Sequence, residues 1–167
     1  MKIKLKKEDL SSVELSWLCI KPMLLAVRGK DLPTKLEMYQ QLNQGQQGLF
    51  MFFSFHNHAS TIEEFYWFSS YYINELKSWS GIKSGVRYYK DTEMVELLDQ
   101  IELFVLREAK EKSQKVSPTD LETNEELLKE VKGYFNRYKE LSINTIDTMN
   151  KWIIHNQRDF CETQNDL

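Results

Sequence analysis

The chain has few of the residues that mark turn-rich, disulfide-rich or nucleic-acid-binding proteins. Its 167 residues include only 6 glycines and 3 prolines, a scarcity that disfavours a β-sandwich or barrel and favours helices. Its two cysteines, Cys19 and Cys161, lie near opposite ends and form no C-x-x-C pair, which indicates a reducing compartment. The formal net charge is -3, so there is no overall positive field to attract phosphates, and we do not expect a nucleic-acid partner.

A long apolar run is also missing. Nowhere do about 18 uncharged apolar residues follow one another, as a membrane-spanning helix requires. The apolar segment "LSWLCIKPMLLAV" follows a basic start, but Lys21 and Pro22 interrupt it and no small-residue cleavage site follows, so it lacks the pattern of a signal peptide. We therefore expect a cytoplasmic protein with no membrane partner.

Helical periodicity is the dominant pattern in the chain. The apolar fraction of 41% and the charged fraction of 28% are typical of a globular protein, and the length suits one domain with one core. We therefore predict an all-α fold, a single compact helical bundle of five to seven helices over residues 1–167 with a long C-terminal helix. We predict frayed ends of about eight residues at the amino terminus and about seven at the carboxy terminus. Residues 113–124 are predicted to form a surface linker.

Capping residues predict where helices begin. Ser60 and Glu63 in "STIE" have the S/T-x-x-E spacing of a capping box, as do Thr123 and Glu126. Asp91 is predicted to cap the helix that carries the acidic run "DTEMVELLDQIE". Outside "KIKLK" no stretch alternates apolar and polar residues convincingly, so no sheet is predicted.

The stretch "SFHNHASTIEEFYWF" raises the question of a metal site. His56 and His58 are two positions apart, and on a helix they would point about 200° apart and could not hold one ion. We therefore predict a helix end at these residues and no metal site. In the alternative, one of these histidines joins His155 and a carboxylate such as Glu63 or Glu64 from a facing helix. No H-x-x-x-H or E-x-x-H pair supports that alternative.

Aromatic residues are concentrated at positions 50–72, where "FYWF" is followed by "SSYY". Large aromatic rings contribute strongly to stability when they are buried, so the block is predicted to form one side of the hydrophobic core. Because the rings would face more than one side of a helix, part of the block is expected to line a pocket or a partner groove.

Gly81 and Gly85, one helical turn apart, indicate a backbone that another group approaches closely. A packed helix is the first hypothesis. The alternative is an anionic ligand held by neighbouring serines and by Lys83 and Arg87. The residues predicted to contact a ligand are Trp67, Tyr71, Trp79, Lys83 and Arg87.

No catalytic or nucleotide-binding motif appears in the chain, which has no G-x-S-x-G, P-loop or G-x-G-x-x-G pattern. We therefore predict a non-enzymatic interaction or regulatory protein of a bacterial cytoplasm, without a cofactor. It would bind a protein partner, or form a homo-oligomer, through its aromatic-rich or acidic helices. The alternative is a helical-bundle enzyme or small-ligand-binding protein with a pocket between the aromatic helices, metal-dependent through His56, His58 or His155.

Overall fold

The computed structural model describes residues 1–111 and 116–163. Seven α-helices within them have nine residues or more, and the last of these, α8, has 31 residues. The prediction of an all-α bundle with a long C-terminal helix is therefore confirmed. The elements in chain order are β1 Ile3–Leu5, α1 Leu15–Ala26, α2 Leu32–Gln40, α3 Gln44–His56, α4 Ile62–Ser70, α5 Trp79–Tyr88, α6 Thr92–Glu111, α7 Asp120–Thr123, α8 Glu125–His155, α9 Gln157–Phe160 and β2 Cys161–Thr163.

Helices α3 and α5 meet at two glycines with their backbones in direct contact. A Cβ atom built on Gly85 would lie 2.7 Å from the Cα atom of Gly48, and one built on Gly48 would lie 3.1 Å from the Cα atom of Gly85. A Cβ atom on Gly81 would lie 2.9 Å from the methyl group of Met51, also on α3. The close neighbour of Gly81 and Gly85 is therefore a packed helix, the first of the two sequence hypotheses.

A buried asparagine on α8 closes the amino-terminal end of α1. Its Oδ1 atom accepts a hydrogen bond of 2.7 Å from the backbone N–H of Ser16, and its Nδ2 atom donates one of 2.7 Å to the carbonyl of Val13. This residue, Asn150, lies 134 positions from Ser16 in the chain. The first turn of a helix has N–H groups without intrahelical partners, and Glu14 at the N-cap makes no side-chain cap. Helix α8 thus supplies the hydrogen-bond partners that the residues next to α1 in sequence do not.

Helix α4 begins one residue later than predicted. The hydroxyl of Thr61 accepts the N–H of Glu64 at 3.2 Å, and the Glu64 carboxylate accepts the N–H of Ser60 at 3.3 Å. The predicted pair of Ser60 and Glu63 is therefore wrong by one position. Adjacent hydroxyl residues can both cap a helix, and the extended backbone at Thr61 decides between them.

Helix α8 shows the same shift. Its N-cap is Asn124, whose side chain accepts the N–H of Leu127 at 3.0 Å, so the predicted cap at Thr123 is also wrong by one position. The predicted cap at Asp91 is confirmed, because its carboxylate accepts the N–H of Met94 at 3.1 Å.

The two ends of the chain pair with each other. Strands β1 and β2 form a parallel two-stranded sheet in which Ile3 lies opposite Cys161 and Leu5 opposite Thr163. Leu5 and Cys161 are buried. The structure therefore differs from the prediction of frayed ends and no sheet, because backbone pairing and burial hold both segments. Of the predicted carboxy-terminal tail, residues 164–167 lie outside the described residues.

The predicted linker at residues 113–124 is described only from Val116 onward. Its last part contains the short helix α7, in which Leu121 is buried. The N–H of Ser117 donates to the carboxylate of Asp120 at 3.0 Å. This part of the segment is therefore a packed helical turn instead of a polar loop.

Candidate functional site

The two neighbouring histidines diverge because α3 ends between them. His56 is the last residue of the helix, and Asn57 is its C-cap. His56 is half-buried and stacks on Phe52 at 5.2 Å between ring centroids. His58 is exposed and stacks on Phe68 of α4 at 4.2 Å. The predicted helix end is confirmed, and the two imidazole rings contact different residues.

His56 pairs with a tyrosine in the core. Its Nδ1 atom lies 3.0 Å from the hydroxyl oxygen of Tyr138 on α8. Burial lowers the pKa of His56 to about 4, and the positive charge of Lys139 acts in the same direction. Burial also raises the pKa of Tyr138, so both side chains are neutral near pH 7. Tyr138 is fully buried, so this hydrogen bond joins α3 to α8 at the core.

The residues of the alternative metal site have other contacts. The Nδ1–H group of His155 donates to the carbonyl of Lys151 one turn earlier, at 2.7 Å. Glu64 takes part in the cap of α4. In the part of the chain that the structure describes, no group of three or more His, Cys, Asp or Glu side chains is placed to hold a metal ion.

Four rings form a connected group on the outer side of α4, and we call this group the aromatic surface. Trp67 and Tyr71, one turn apart, stack at 5.0 Å with an interplanar angle of 11°. Phe68 meets Trp67 edge-on at 4.7 Å and stacks with His58. His58 is exposed and the other three rings are partly exposed. Two of the five predicted ligand residues, Trp67 and Tyr71, therefore come together here.

Helix α4 fills the core with a different set of rings. Phe65 and Tyr66 are 2% and 1% exposed, and Phe65 packs against Phe135 and Tyr138 of α8 at 5.6 and 5.5 Å. Phe68 and Tyr71 of the aromatic surface also pack against the edge of this core, whereas Trp67 does not. This arrangement matches the prediction that the block presents rings to more than one side.

A π-helical segment, Tyr71–Glu75, follows α4 and positions the last ring of the aromatic surface. The carbonyl of Tyr71 accepts the N–H of Leu76, five residues later, at 2.9 Å. Tyr72 points inward instead, and burial raises the pKa of its hydroxyl to about 12. π-Helical turns are rare and occur frequently at functional sites. Tyr71 therefore stays partly exposed while Tyr72 is buried, although the two rings still meet edge-on at 6.2 Å.

The other three predicted ligand residues lie on α5. Trp79 is buried, and its indole N–H donates to a backbone carbonyl of α6 at 3.0 Å. The ammonium group of Lys83 pairs with the carboxylates of Asp99, at 2.8 Å, and Glu102. Arg87 is exposed. Trp79 and Lys83 therefore have structural partners in place of a ligand.

Most acids of the run on α6 have hydrogen-bond or ion-pair partners within the chain. The last two of its five acids pair with Lys83. Asp91 caps the helix and accepts the hydroxyl of Thr145 at 2.6 Å. Glu93 lies 3.7 Å from Arg137 of α8. This helix therefore presents less free negative charge than its sequence indicates.

A shallow recess of about 480 Å³ lies between α6 and α8. Gly133 is part of its lining, and a Cβ atom built there would have nothing within 4 Å. The ion pair between Arg107 and Glu130, at 2.7 Å, joins the two helices beside it. The lining contains two acids and two bases but no histidine and no ring of the aromatic surface. The recess therefore does not lie between the aromatic helices, where the enzyme hypothesis places its pocket.

Two members of the aromatic surface were absent from the predicted ligand residues. Phe68 lies about 60° from Tyr71 around an ideal helix of 3.6 residues per turn, so a helical projection of α4 would have included it. His58 reaches the surface only because the chain turns after α3. No local sequence pattern predicts that contact.

Comparisons with known proteins found no matching family model, no matching curated protein and no matching solved structure. Among the helices of residues 1–111 and 116–163, none is both long and apolar enough to cross a membrane.

Proposed function

We propose that this chain is a non-enzymatic interaction protein that binds a protein partner through the aromatic surface. The observation that supports the proposal is the partial exposure of Trp67, Phe68 and Tyr71 on a helix whose inner face is already packed. Tryptophan and tyrosine are enriched among the residues that contribute most to protein–protein binding. Their rings supply large contact areas and lose little side-chain freedom.

The enzyme hypothesis receives less support from the same structure. Its histidine–tyrosine pair, His56 and Tyr138, is in the core. The recess between α6 and α8 has no histidine in its lining. The aromatic surface itself holds one histidine and no nucleophile with an adjacent base.

A cytoplasmic location belongs to the same proposal. Cys19 and Cys161 are unpaired and buried, and burial raises the pKa of both thiols. Unpaired thiols of this kind are compatible with a reducing compartment.

A pull-down with matched variants tests the proposed surface. Wild-type protein, Trp67→Ala and Tyr71→Ala would be compared with Tyr39→Ala, which removes a partly exposed ring on α2. We expect a partner that wild type and Tyr39→Ala retain and that both surface variants lose, confirmed by titration of the two purified proteins. Circular dichroism would first establish that every variant is folded.

A partner lost equally from Tyr39→Ala, or retained by both surface variants, would contradict the proposal. Analytical sedimentation of the purified 19.9 kDa chain tests whether the chain forms a homo-oligomer. A dimer that Trp67→Ala converts to a monomer would show that the partner is a second copy.

A further inference from the structure

On the basis of this proposed function, we infer that the partner presents an arginine. The guanidinium group of this arginine binds to the ring of Trp67 in the aromatic surface, next to the carboxylate of Glu63.

Three of the four tryptophans are either buried or have a lysine ammonium group near the ring. Trp79 is buried. The ammonium group of Lys21 lies 6.0 Å from the ring of Trp17, and that of Lys90 lies 5.6 Å from the ring of Trp152. These distances fall at or within the range of about 6 Å in which a cation is attracted to an aromatic face.

Trp67 has no such cation in the part of the chain that the structure describes. It is partly exposed, like Trp17 and Trp152, and indole is the ring that binds cations best. Among the partly exposed tryptophans, Trp67 is thus the one with no cation of the described chain near its ring. Because Tyr71 stacks on one face of this ring, a cation from outside would bind the other face.

The charges around Trp67 favour a cation. No lysine or arginine occurs in the chain between Lys35 and Lys77, so α4 and the segments beside it in sequence contribute no positive side chain of that kind. Glu63 and Glu64 are both exposed in the first turn of α4. Glu64 is partly engaged with the N–H of Ser60, whereas Glu63 makes no ion pair among the described residues.

The spacing on the helix suits a planar, forked cation. Glu63 lies four residues before Trp67 and Tyr71 four residues after it, so the three side chains share one face of the helix. A guanidinium group can stack on an aromatic ring while its N–H groups donate to a carboxylate, which a compact ammonium group does less well. Arginine is therefore the side chain that both groups can bind at once.

A peptide pair that differs in charge alone tests the inference. The probes are a short glycine- and serine-rich peptide with two arginines and the same peptide with citrulline, a neutral analogue of similar shape, in their place. The indole N–H signal of Trp67 in a proton–nitrogen NMR spectrum reports binding, and it is assigned by its absence from Trp67→Phe. We expect the arginine peptide to shift this signal and to bind at least about 5-fold more tightly than the citrulline peptide, a factor that corresponds to an exposed cation–π contact of about 1 kcal/mol.

Two variants test the role of the carboxylate. Glu63→Gln should weaken the arginine peptide about 3-fold or more and leave the citrulline peptide unchanged, in line with an exposed ion pair. Glu37→Gln makes the same charge change on the exposed face of α2 and should leave both affinities unchanged.

The peptide and pull-down results separate a failure of the arginine inference from a failure of the interaction proposal. Equal affinities of the two peptides, or no shift of the Trp67 signal by the arginine peptide, would overturn the arginine inference. The interaction proposal would survive if Trp67→Ala still abolished capture of the partner. If that capture did not depend on Trp67, the interaction proposal would fail whatever the peptides did.

Discussion

The same glycine-to-alanine substitution should have opposite effects at two positions in the helices. Alanine is more favourable than glycine in a helix interior by about 1 kcal/mol. Gly133 lies within α8 with nothing inside 4 Å of a Cβ atom, so Gly133→Ala meets no obstacle there. We expect it to raise the free energy of unfolding by about 1 kcal/mol.

At Gly85 the preference of the helix for alanine is opposed by a steric clash with the backbone of α3. The new Cβ atom would lie 2.7 Å from the Cα atom of Gly48 and 2.9 Å from its carbonyl oxygen, whereas non-bonded carbon atoms prefer separations of about 3.5 to 4.0 Å. Because both obstacles are backbone atoms, no side chain can rotate away, and α3 and α5 must separate by about 1 Å. Overpacking costs about 1 to 3 kcal/mol. With the upper value and the helix preference combined, Gly85→Ala should lower the free energy of unfolding by about 2 kcal/mol.

Urea unfolding followed by circular dichroism measures both changes in the free energy of unfolding, and thermal unfolding measures the corresponding shifts in melting temperature. The melting temperature should rise by about 2 to 4 °C for Gly133→Ala and fall by about 4 to 8 °C for Gly85→Ala. Gly81→Ala is the control, because the atom in its way is the terminal methyl of the flexible Met51 side chain, which can move aside; this variant should be at least as stable as wild type. A Gly85→Ala protein as stable as wild type would refute the close contact between α3 and α5.

Three further changes probe contacts between distant parts of the chain. Below about pH 6.5 the unfolded chain takes up a proton that folded His56 resists down to about pH 4, so wild type should lose about 2 kcal/mol between about pH 7 and pH 5. His56→Gln should remove that loss and the exposed His155→Gln should keep it, as measured by urea unfolding at the two pH values. Asn150→Ala should lower the unfolding free energy by about 1 to 3 kcal/mol, because it leaves the buried N–H of Ser16 at the start of α1 without a partner; a change below about 0.5 kcal/mol would contradict that cap. Lys83→Met should cost less than about 1 kcal/mol in the same assay, because its partner Asp99 is 46% exposed, and a larger loss would show that the pair is screened less than its exposure indicates.

Helix content and core-facing positions were predictable because they depend on local periodicity. The capping boxes were predicted to within one position. The exact N-cap residue was missed because Thr61 and Asn124 each follow another residue that can also cap a helix. Pairing between β1 and β2 could not be predicted, because the two strands are three residues each and lie at opposite ends of the chain. Asn150 illustrates the same limit, since a cap supplied by a distant helix leaves no local pattern.

The candidate site was partly predictable for a related reason. Trp67 and Tyr71 are four residues apart, so their shared face follows from helix geometry alone. Trp79 could not be distinguished from them by residue type, and its burial depends on how α5 packs against α6. Lys83 appeared available for a ligand until the fold placed two carboxylates beside it.

The exposure of Trp67 is informative because each of the other three tryptophans is either buried or has a lysine ammonium group near its ring. Burying a large side chain stabilises a protein by about 1.5 to 3 kcal/mol relative to leaving it exposed, and partial exposure forgoes part of that. Trp79 takes the full benefit, and Trp17 and Trp152 each have a lysine over the ring. Trp67 has no lysine or arginine over its ring among the described residues, and the exposed Glu63 lies one helical turn before it. A partner that brings an arginine would supply there the contact that the chain itself supplies to its other tryptophans.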